Sequence, residues 1–258
     1  MEQAVKIVSS QCRHGVFSFP AHDVYIGRSL ALYGEWSQGE VDLMARIIRP
    51  GDCVVEVGSN LGTHTVPLAK MVGEHGSVIA FEPQRLIFQL LCSNLVANEV
   101  TNVWAYNAAV GRVPGRVMVP EIDPGTVYNF GGVRVGSPTG TLTSLVMLDS
   151  LELHKVDFLK IDAEDYEPAV LLGAYETINR FLPPMLIEYN PHMREAIDKV
   201  LRLFPYRAWT FNEPLFSPSN YKGNQENVFA NTHSLNLFLS RDPVTGVTDR
   251  LVEWSFAG

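Results

Sequence analysis

The sequence predicts an α/β fold with a mostly parallel sheet. Strand patterns alternate with helical patterns through the middle of the chain, which is the arrangement that forms parallel sheets. The first buried-strand pattern runs directly into a glycine turn and a helix, in the stretch DCVVEVGSNLGTHT at 52–65. The last two strand patterns, at 206–211 and 234–240, have no helix between them. The final strand is therefore expected to run antiparallel to its neighbours.

The composition is that of a globular protein with one large domain. The chain has 258 residues, of which 46% are hydrophobic and 19% are charged, enough for a substantial core. Its net charge of −8 and its scattered Lys and Arg residues offer no basic surface for nucleic acid. We therefore expect no nucleic-acid partner. The sequence leaves the oligomeric state open.

The cysteines and the start of the chain favour a cytoplasmic location. Cys12, Cys53 and Cys92 include no C-x-x-C pair, and an odd number of cysteines suits reduced, buried thiols. The first ten residues lack the apolar region of a signal peptide, and no apolar run is long enough to span a bilayer. No membrane insertion is expected.

The chain divides into an N-terminal hairpin and lid segment at 1–37 and an α/β domain at 38–258. Residues 4–26 alternate apolar and polar side chains around Gly15, which predicts a short hairpin. Within the domain, a helix is expected at 40–49, because apolar residues recur there at helical spacing and a Pro-Gly turn follows.

The segment at 25–40, YIGRSLALYGEWSQGE, admits two interpretations. Its aromatic residues Tyr33 and Trp36 could pack on the edge of the sheet. Alternatively, the segment forms a lid over a ligand, and Tyr33 and Glu35 are then candidates for binding a cofactor.

The glycine turn predicts a nucleotide-like site. Gly58 and Gly62 bracket the turn, where a side chain would obstruct a ligand. The helix expected at 61–72 would point its free N–H groups at that ligand. Glu56 closes the strand, so the motif is E-x-G-x-N-x-G rather than the G-x-G-x-x-G of dinucleotide sites. The candidate cofactor-binding residues here are Glu56, Gly58, Ser59, Asn60, Gly62 and Thr63.

Two acids define the ligand more closely. A carboxylate at Glu56 is awkward beside a diphosphate, but it suits a zwitterionic amino acid such as the methionine end of S-adenosylmethionine. The next strand, at 77–82, ends in Glu82, twenty-four residues after Gly58. An acid at that position can accept hydrogen bonds from ribose hydroxyls. Glu82 and Pro83 therefore join the candidate cofactor-binding residues.

The pattern continues with a helix at 85–97 and a strand at 102–107. If the topology is regular, Asn107 and Ala108 lie at the edge of an adenine pocket. Residues 111–141 are rich in Gly and Pro and predict an inserted hairpin and loop.

A second irregular region, at 212–233, is a long polar loop with many Asn and aromatic residues. A loop of this length with aromatic residues is typical of a functional segment, and we interpret it as a substrate loop. Together with the lid and the insertion it is expected to form the pocket for a small-molecule or glycan acceptor. Its composition fits a sugar, a glycolipid head group or a peptide.

Four acids follow the buried strand VDFLKI. Because ligands of open α/β sheets bind at the carboxyl ends of the strands, Asp162 and Glu164 are expected to face the site. Asp165 and Glu167 are expected to cap the helix predicted at 166–180.

Three motifs together resemble those of the FkbM-type S-adenosylmethionine-dependent methyltransferases, across residues 50–190. They are VVEVGSNLGTHTVPLA, VIAFEPQRLIFQLLCSN and VMLDSLELHKVDFLKIDAEDYEPAVLLGA. The resemblance implies a seven-stranded Rossmann-like sheet with the cofactor at the carboxyl edge of its first four strands. It also implies methyl transfer, commonly to a hydroxyl of a sugar or natural product, with S-adenosylhomocysteine as the product.

The chain departs from the family pattern at two positions. Asp165 stands where the family usually has glycine, so a side chain could alter the turn or crowd the acceptor pocket. Glu56 stands where aspartate is common, which keeps the carboxylate.

Methyl transfer to a hydroxyl needs a base beside the methyl group. A fifth strand, PMLIEYN, ends in Glu188 and Asn190, with His192 two residues further on. The candidate bases, in order, are Glu164, Asp162, Glu188 and His192, and Asp162 is also a candidate cofactor contact. The position of His192 is equally consistent with a surface histidine at the start of a helix.

The three acids and Asn190 also offer oxygen ligands for a divalent metal such as Mg²⁺, which we do not favour.

Other functions remain open at this point. These are N-methylation of a small molecule or peptide, a non-catalytic S-adenosylmethionine-binding module, and an NAD(P)-dependent oxidoreductase. The missing third glycine and the acid before Gly58 argue against the oxidoreductase.

Overall fold

The computed structural model describes residues 6–256. Residues 1–5 of the predicted N-terminal segment and residues 257–258 of the predicted α/β domain lie outside this range. The described strands are β1 (Ile7–Cys12), β2 (Gly15–Pro20), β3 (Cys53–Val57), β4 (Ser77–Phe81), β5 (Val103–Tyr106), β6 (Ala108–Val110), β7 (Gly115–Val119), β8 (Thr141–Val146), β9 (Phe158–Ile161), β10 (Met185–Glu188), β11 (Arg207–Pro214), β12 (His233–Ser240) and β13 (Val252–Glu253). The described α-helices are α1 (Ile26–Leu32), α2 (Gln38–Ile47), α3 (Thr65–Val72), α4 (Arg85–Ala97), α5 (Glu167–Gly173), α6 (Tyr175–Phe181) and α7 (Arg194–Leu201).

The main sheet has the strand order β13-β11-β12-β10-β9-β3-β4-β5. The five strands from β10 to β5 are parallel, and β12 is antiparallel to both β10 and β11. The α/β class, the mostly parallel sheet and the antiparallel final long strand are therefore confirmed. The expected count of seven strands is exceeded by one, because β13 adds two residues to the edge of the sheet, too few to produce a sequence pattern.

The central strands are apolar because both of their faces are covered. All five residues of β3 are buried, and its successive side chains point to opposite faces of the sheet. Val54 packs with residues of α2 and α3 on one face, whereas Val55 packs with residues of α5, α6 and α7 on the other. This three-layer packing fixes the carboxyl ends of β3, β4, β9 and β10 along one edge.

Smaller elements flank the main sheet. β1 and β2 form an antiparallel hairpin, which lies against α4 through hydrogen bonds from Asn94 and Asn98 to its backbone. β7 and β8 pair antiparallel, and β6 joins β8 to give a three-stranded sheet. The segment between β7 and β8 crosses back over the carboxyl edge of the main sheet, where Gly131 lies close to Asn60.

Several helix boundaries differ from the sequence prediction. α2 spans Gln38–Ile47 rather than 40–49. α3 begins at Thr65 rather than at 61, because Asn60 and Gly62 have φ values of +47° and +84°. The helix predicted at 166–180 is divided into α5 and α6 at Ala174. Just before the division, Gly173 lies against the backbone of Gly111 more closely than a Cβ would permit.

Within residues 6–256, none of the helices combines the length and the apolar character needed to cross a membrane.

Candidate cofactor and acceptor site

The carboxyl ends of β3, β9 and β10 open into a cleft of about 400 Å³. One wall is the glycine turn, with Gly58, Ser59, Asn60 and Thr63. The facing wall follows β9 and β10 and carries Asp162, Glu164, Glu188 and Asn190. Seven of the residues proposed from sequence as site residues therefore lie around one cleft, together with Asn190.

Gly58 is required by the backbone around it. Its φ is +83°, and a Cβ there would come within 1.7 Å of the Asp162 carbonyl oxygen. The N–H groups of Gly58 and Ser59 both donate to the carbonyl of Phe81, while the Asp162 N–H donates to the carbonyl of Val57. The turn is thus held against the ends of both neighbouring strands. Gly62 has φ +84° and lies against Leu91, so it shapes the turn without reaching the cleft.

Glu82 lies at the end of β4 and lines a small cavity of about 40 Å³ beside the cleft. Its carboxylate accepts hydrogen bonds from the N–H groups of Asn60 at 2.9 Å and Gln84 at 2.7 Å. Burial raises the pKa of Glu82 to about 7, against the effect of these hydrogen bonds. Two backbone N–H groups therefore fix the position of the Glu82 carboxylate on the wall of the side cavity.

The side cavity itself is mostly apolar. Pro83 and Ala108 belong to its lining, as do Val57, Phe81 and Val110. Asn107 is not on this wall, because its side-chain amide donates to the backbone carbonyls of Glu82 and Pro83. The cavity is narrow because Gly131, Val133 and Val135 lie over it.

Glu56 lies beneath the cleft rather than on its wall. Its side chain is fully buried, and one oxygen accepts a hydrogen bond from the Thr65 hydroxyl while the other has no partner. It stands opposite Lys160 across the β3–β9 pair. Burial raises the pKa of Glu56 to about 7, although the Lys160 ammonium lowers it. The side chain of Glu56 therefore does not line the cleft, and its direct contact with a ligand stays a prediction.

Three carboxylates converge in the cleft. Oxygens of Asp162, Glu164 and Glu188 all lie within 4.8 Å of one another. Burial, reinforced by the nearby Asp162 carboxylate, raises the pKa of Glu164 to about 8. The same two causes raise the pKa of Glu188 well above its ordinary value. Such a set can act as a base, and its oxygens are also the ligands that Mg²⁺ prefers.

Lys160 is the buried cation of this cluster. Its side chain is 1% exposed, and Nζ lies 3.1 Å from Oδ2 of Asp162. Burial alone would lower the pKa of Lys160, but the carboxylates of Asp162, Glu40 and Glu56 raise it above its ordinary value. Lys160 was not a candidate from the sequence, although a lysine inside the apolar strand FLKI indicates a buried charge.

Asp165 has a different role from the predicted helix cap. It has φ +72°, and its carboxylate pairs with Arg134, Asn190 and His192. These contacts link the inserted segment to the end of β10. Glycine would adopt the positive φ at this position more easily, but it could not form these contacts. Glu167 is the first residue of α5, where its carboxylate complements the helix dipole as expected. It also accepts a hydrogen bond from the N–H of Ala163 and so stabilises the turn before α5.

Besides Gly62 and Glu56, three further candidates from the sequence do not reach the cleft. His192 is 57% exposed and pairs with Asp165 outside it. The hydroxyl of Tyr33 donates to the carbonyl of Glu226, so this buried ring secures the 212–233 region. Glu35 accepts hydrogen bonds from Arg13 and from the N–H of Tyr221, and it faces a separate groove. Side-chain direction, which sequence spacing does not give, decides each case.

Other residues complete the cleft. Trp36, at the end of the predicted lid segment, and Tyr25 line it, as do Asn129 from the insertion and His233 from the end of the 212–233 region. Glu40 and His64 also line it, and neither was a candidate from the sequence.

Comparison with known proteins identifies the family. The family profile described as "Methyltransferase FkbM domain" matches residues 56–212, well over half of the chain. No curated protein matches the chain in sequence.

Among solved structures, a methyltransferase FkbM from Methylobacillus flagellatus is similar with a TM-score of 0.50 and 16% identity, over 78% of this chain and 50% of that one. Trm5b from Pyrococcus abyssi has a TM-score of 0.51 and 13% identity, over 92% of this chain and 56% of that one. A precorrin 8w decarboxylase from Methanobacterium thermoautotrophicum has a TM-score of 0.50 and 11% identity, over 81% of this chain and 93% of that one.

The chain thus spans about half the length of the first two structures. At these identities the three structures show a shared fold, and the profile carries the assignment. The chain belongs to the FkbM family of methyltransferases.

Proposed function

We propose that this methyltransferase transfers the methyl group of S-adenosylmethionine to a hydroxyl of a sugar or related natural product. The observation that carries the proposal is the convergence of Asp162, Glu164 and Glu188 at the inner end of a cleft beside the glycine turn. A hydroxyl is a poor nucleophile near neutral pH, so it needs such a base.

Several residues at this edge of the sheet would hold the cofactor. The apolar side cavity with Ala108 would take the adenine, and Glu82 would accept hydrogen bonds from the ribose hydroxyls. Because Gly131, Val133 and Val135 narrow the cavity, the inserted segment would have to move outward to admit the ring. The glycine turn and the main cleft would then receive the sulfonium and the methionine end.

Charge supports this orientation. Asp162, Glu164 and Glu188 line the main cleft, and the buried Lys160 ammonium forms an ion pair with Asp162. A sulfonium cation bound here would favour the ionised form of these acids, and their negative charge would stabilise it in return.

When bound, the sulfonium supplies an electrophilic methyl carbon. The chain orients the acceptor oxygen in line with the carbon–sulfur bond and removes its proton. Glu164 is the base we favour, because its raised pKa of about 8 makes it a stronger base than an ordinary carboxylate. Asp162 is neutralised in part by Lys160 and positions the cluster.

The acceptor lies between the lid segment, the insertion and the 212–233 region. This part of the cleft offers aromatic rings at Tyr25 and Trp36 and amides at Asn129, Asn190 and Asn236. Rings and amides together suit a polyhydroxylated ligand. The net charge of −8 supports the expectation that nucleic acid is not the acceptor, and the three free cysteines suit a cytoplasmic location.

The test is turnover with defined acceptors. Purified protein is incubated with S-adenosylmethionine and, separately, with nucleotide sugars, glycosides, primary amines, peptides or RNA, and S-adenosylhomocysteine and methylated product are measured. We expect O-methylated product from a sugar acceptor. Product only from amines or peptides would replace the proposal by N-methylation, and product only from RNA would contradict the acceptor class. Binding of the cofactor without turnover on any acceptor would indicate a non-catalytic module.

A parallel assay with EDTA tests a metal. We expect turnover to persist, because Glu164 and its neighbours provide the base themselves. Loss of activity with EDTA and recovery with Mg²⁺ would assign the three carboxylates to a cation instead.

A further inference from the structure

Besides Glu188, whose Oε2 belongs to the carboxylate cluster described above, three polar side chains on the described cleft wall have buried atoms without hydrogen-bond partners. Ser37, Glu40 and His64 are only 6%, 4% and 5% exposed, and all three line the cleft. The atoms without a hydrogen-bond partner are Oγ of Ser37, Oε2 of Glu40 and Nε2 of His64. Buried polar atoms are nearly always paired in folded proteins, so these three atoms are suited to bind a polar group of a ligand in the cleft.

The chemistry of these three atoms indicates which ligand group they would bind. One oxygen of Glu40 already accepts a hydrogen bond from the Ser234 hydroxyl, and the other lies 3.9 Å from Nε2 of His64. A carboxylate only accepts hydrogen bonds, so its partner must be a donor. Burial and the Lys160 ammonium lower the pKa of His64 to about 3, so the ring is neutral and offers no positive charge to Glu40.

A primary ammonium satisfies the site best. Its three N–H groups match three acceptors, which are Glu40, the bare nitrogen of a neutral His64 and the Ser37 hydroxyl, and its charge would add to that of Lys160 in balancing the buried Glu40 carboxylate. The Lys160 ammonium itself is hydrogen-bonded to Asp162.

The position matches one end of the proposed cofactor. His64 directly follows Thr63 of the glycine turn, on the main-cleft side, while Glu82 lies at the side cavity that would hold adenine. An amino group bound at Glu40 and His64 is therefore at the opposite end of the ligand from the ribose.

We propose that Glu40 and His64 bind the α-ammonium group of the methionine moiety of S-adenosylmethionine. This inference rests on the proposed function and refines it. It replaces Glu56, which is covered by the turn, as the acid that recognises the amino-acid end. Glu56 instead accepts a hydrogen bond from the Thr65 hydroxyl and lies opposite Lys160 on the neighbouring strand.

Binding measurements with two ligands test the inference. S-adenosylhomocysteine and its analogue S-adenosyl-4-thiobutyrate differ only in the amino group, and isothermal titration gives the affinity of each. The wild-type protein is expected to prefer S-adenosylhomocysteine by about tenfold or more, the effect of a charge-assisted hydrogen bond. In Glu40→Gln this preference is expected to fall to about twofold or less, while the analogue binds as before. His64→Gln should reduce the preference in the same direction.

The matched control is Glu35→Gln, which changes a buried acid of the same segment that faces the other groove. It should retain the wild-type preference, and thermal denaturation shows whether each variant is folded. No preference in the wild type, or the same preference in Glu40→Gln as in Glu35→Gln, would overturn the ammonium site while leaving the methyl donor intact. Failure of the wild type to bind either ligand would overturn the proposed function and this inference with it.

Discussion

At the scale of single residues, burial decides what each acid of the site can do. Glu82 and Glu56 end neighbouring strands and have similarly raised pKa values, both about 7. Only Glu82 opens onto a cavity, whereas Glu56 is enclosed by Thr65 and Lys160. The same residue type at equivalent strand ends therefore has two different roles.

Replacing Glu82 tests the ribose contact. Glu82→Ala should weaken binding of S-adenosylhomocysteine by about 1–3 kcal/mol, because charge-assisted hydrogen bonds to the ribose are lost. Isothermal titration measures the effect, and thermal denaturation separates it from loss of the contacts to Asn60 and Gln84. Wild-type affinity in a folded variant would show that the ribose is held elsewhere.

Replacing Glu164 tests the base. Glu164→Gln should lower turnover by roughly 10²- to 10⁴-fold, because the acceptor hydroxyl loses its proton acceptor. Affinity for S-adenosylhomocysteine should stay within about twofold of wild type, since the amide keeps the shape of the side chain. His192→Gln is the comparison variant, since His192 lies outside the cleft. If His192→Gln is inactive and Glu164→Gln is not, the assignment of the base is wrong.

The pKa of Glu164 also predicts the pH dependence of the reaction. A base must be deprotonated, so kcat/KM should rise with pH up to the region of about 8. A profile measured with the preferred acceptor should lose this rise in Glu164→Gln. A wild-type rate that falls over the same interval would contradict a carboxylate base.

At the scale of elements, the site depends on how closely the turn after β3 approaches the end of β9. Gly58→Ala should destabilise the protein by about 3–5 kcal/mol, because strain at positive φ adds to the overlap with the Asp162 carbonyl. Gly51→Ala is the matched control, since Gly51 has φ +90° but open space around its missing Cβ. Gly51→Ala should lower the free energy of unfolding by only about 1–2 kcal/mol, because only the left-handed backbone conformation is unfavourable. Urea denaturation measures both, and equal losses would mean that the close approach is not important for stability.

At the scale of the whole molecule, the buried acids of the site are expected to make the protein less stable in alkaline solution. The pKa values of Glu56, Glu82 and Glu167 are raised to about 7 and that of Glu164 to about 8, in each case first by burial. The folded state therefore binds more protons than the unfolded state between the ordinary pKa and these values, and stability falls as pH rises through that interval. His64 acts in the opposite direction, but only between pH of about 3 and its ordinary value of 6.5.

The midpoint of thermal denaturation should consequently be lower at a pH of about 8.5 than at about 6.5. Glu164→Gln should reduce the difference between the two midpoints, because it removes one of the raised groups. Bound S-adenosylmethionine should also reduce it, since its positive charge favours ionised carboxylates. An unchanged or higher midpoint at the alkaline pH would show that these acids are already ionised at neutral pH.

The sequence by itself determined the parallel α/β sheet, the glycine turn and the family resemblance. Strand and helix periodicity, and motifs such as E-x-G-x-N-x-G, are local features, so they can be recognised without the fold. The sequence also placed Asp162, Glu164 and Glu188 at strand ends, because the carboxyl ends of parallel strands share one edge.

Only the tertiary structure decided which side chains meet in the cleft. It turned Tyr33, Glu35 and His192 away from it, covered Glu56, and joined Glu40 to His64 across the segments before and after β3. The physical reason is that the direction and burial of a side chain depend on packing between distant segments, and spacing along the chain does not specify that packing.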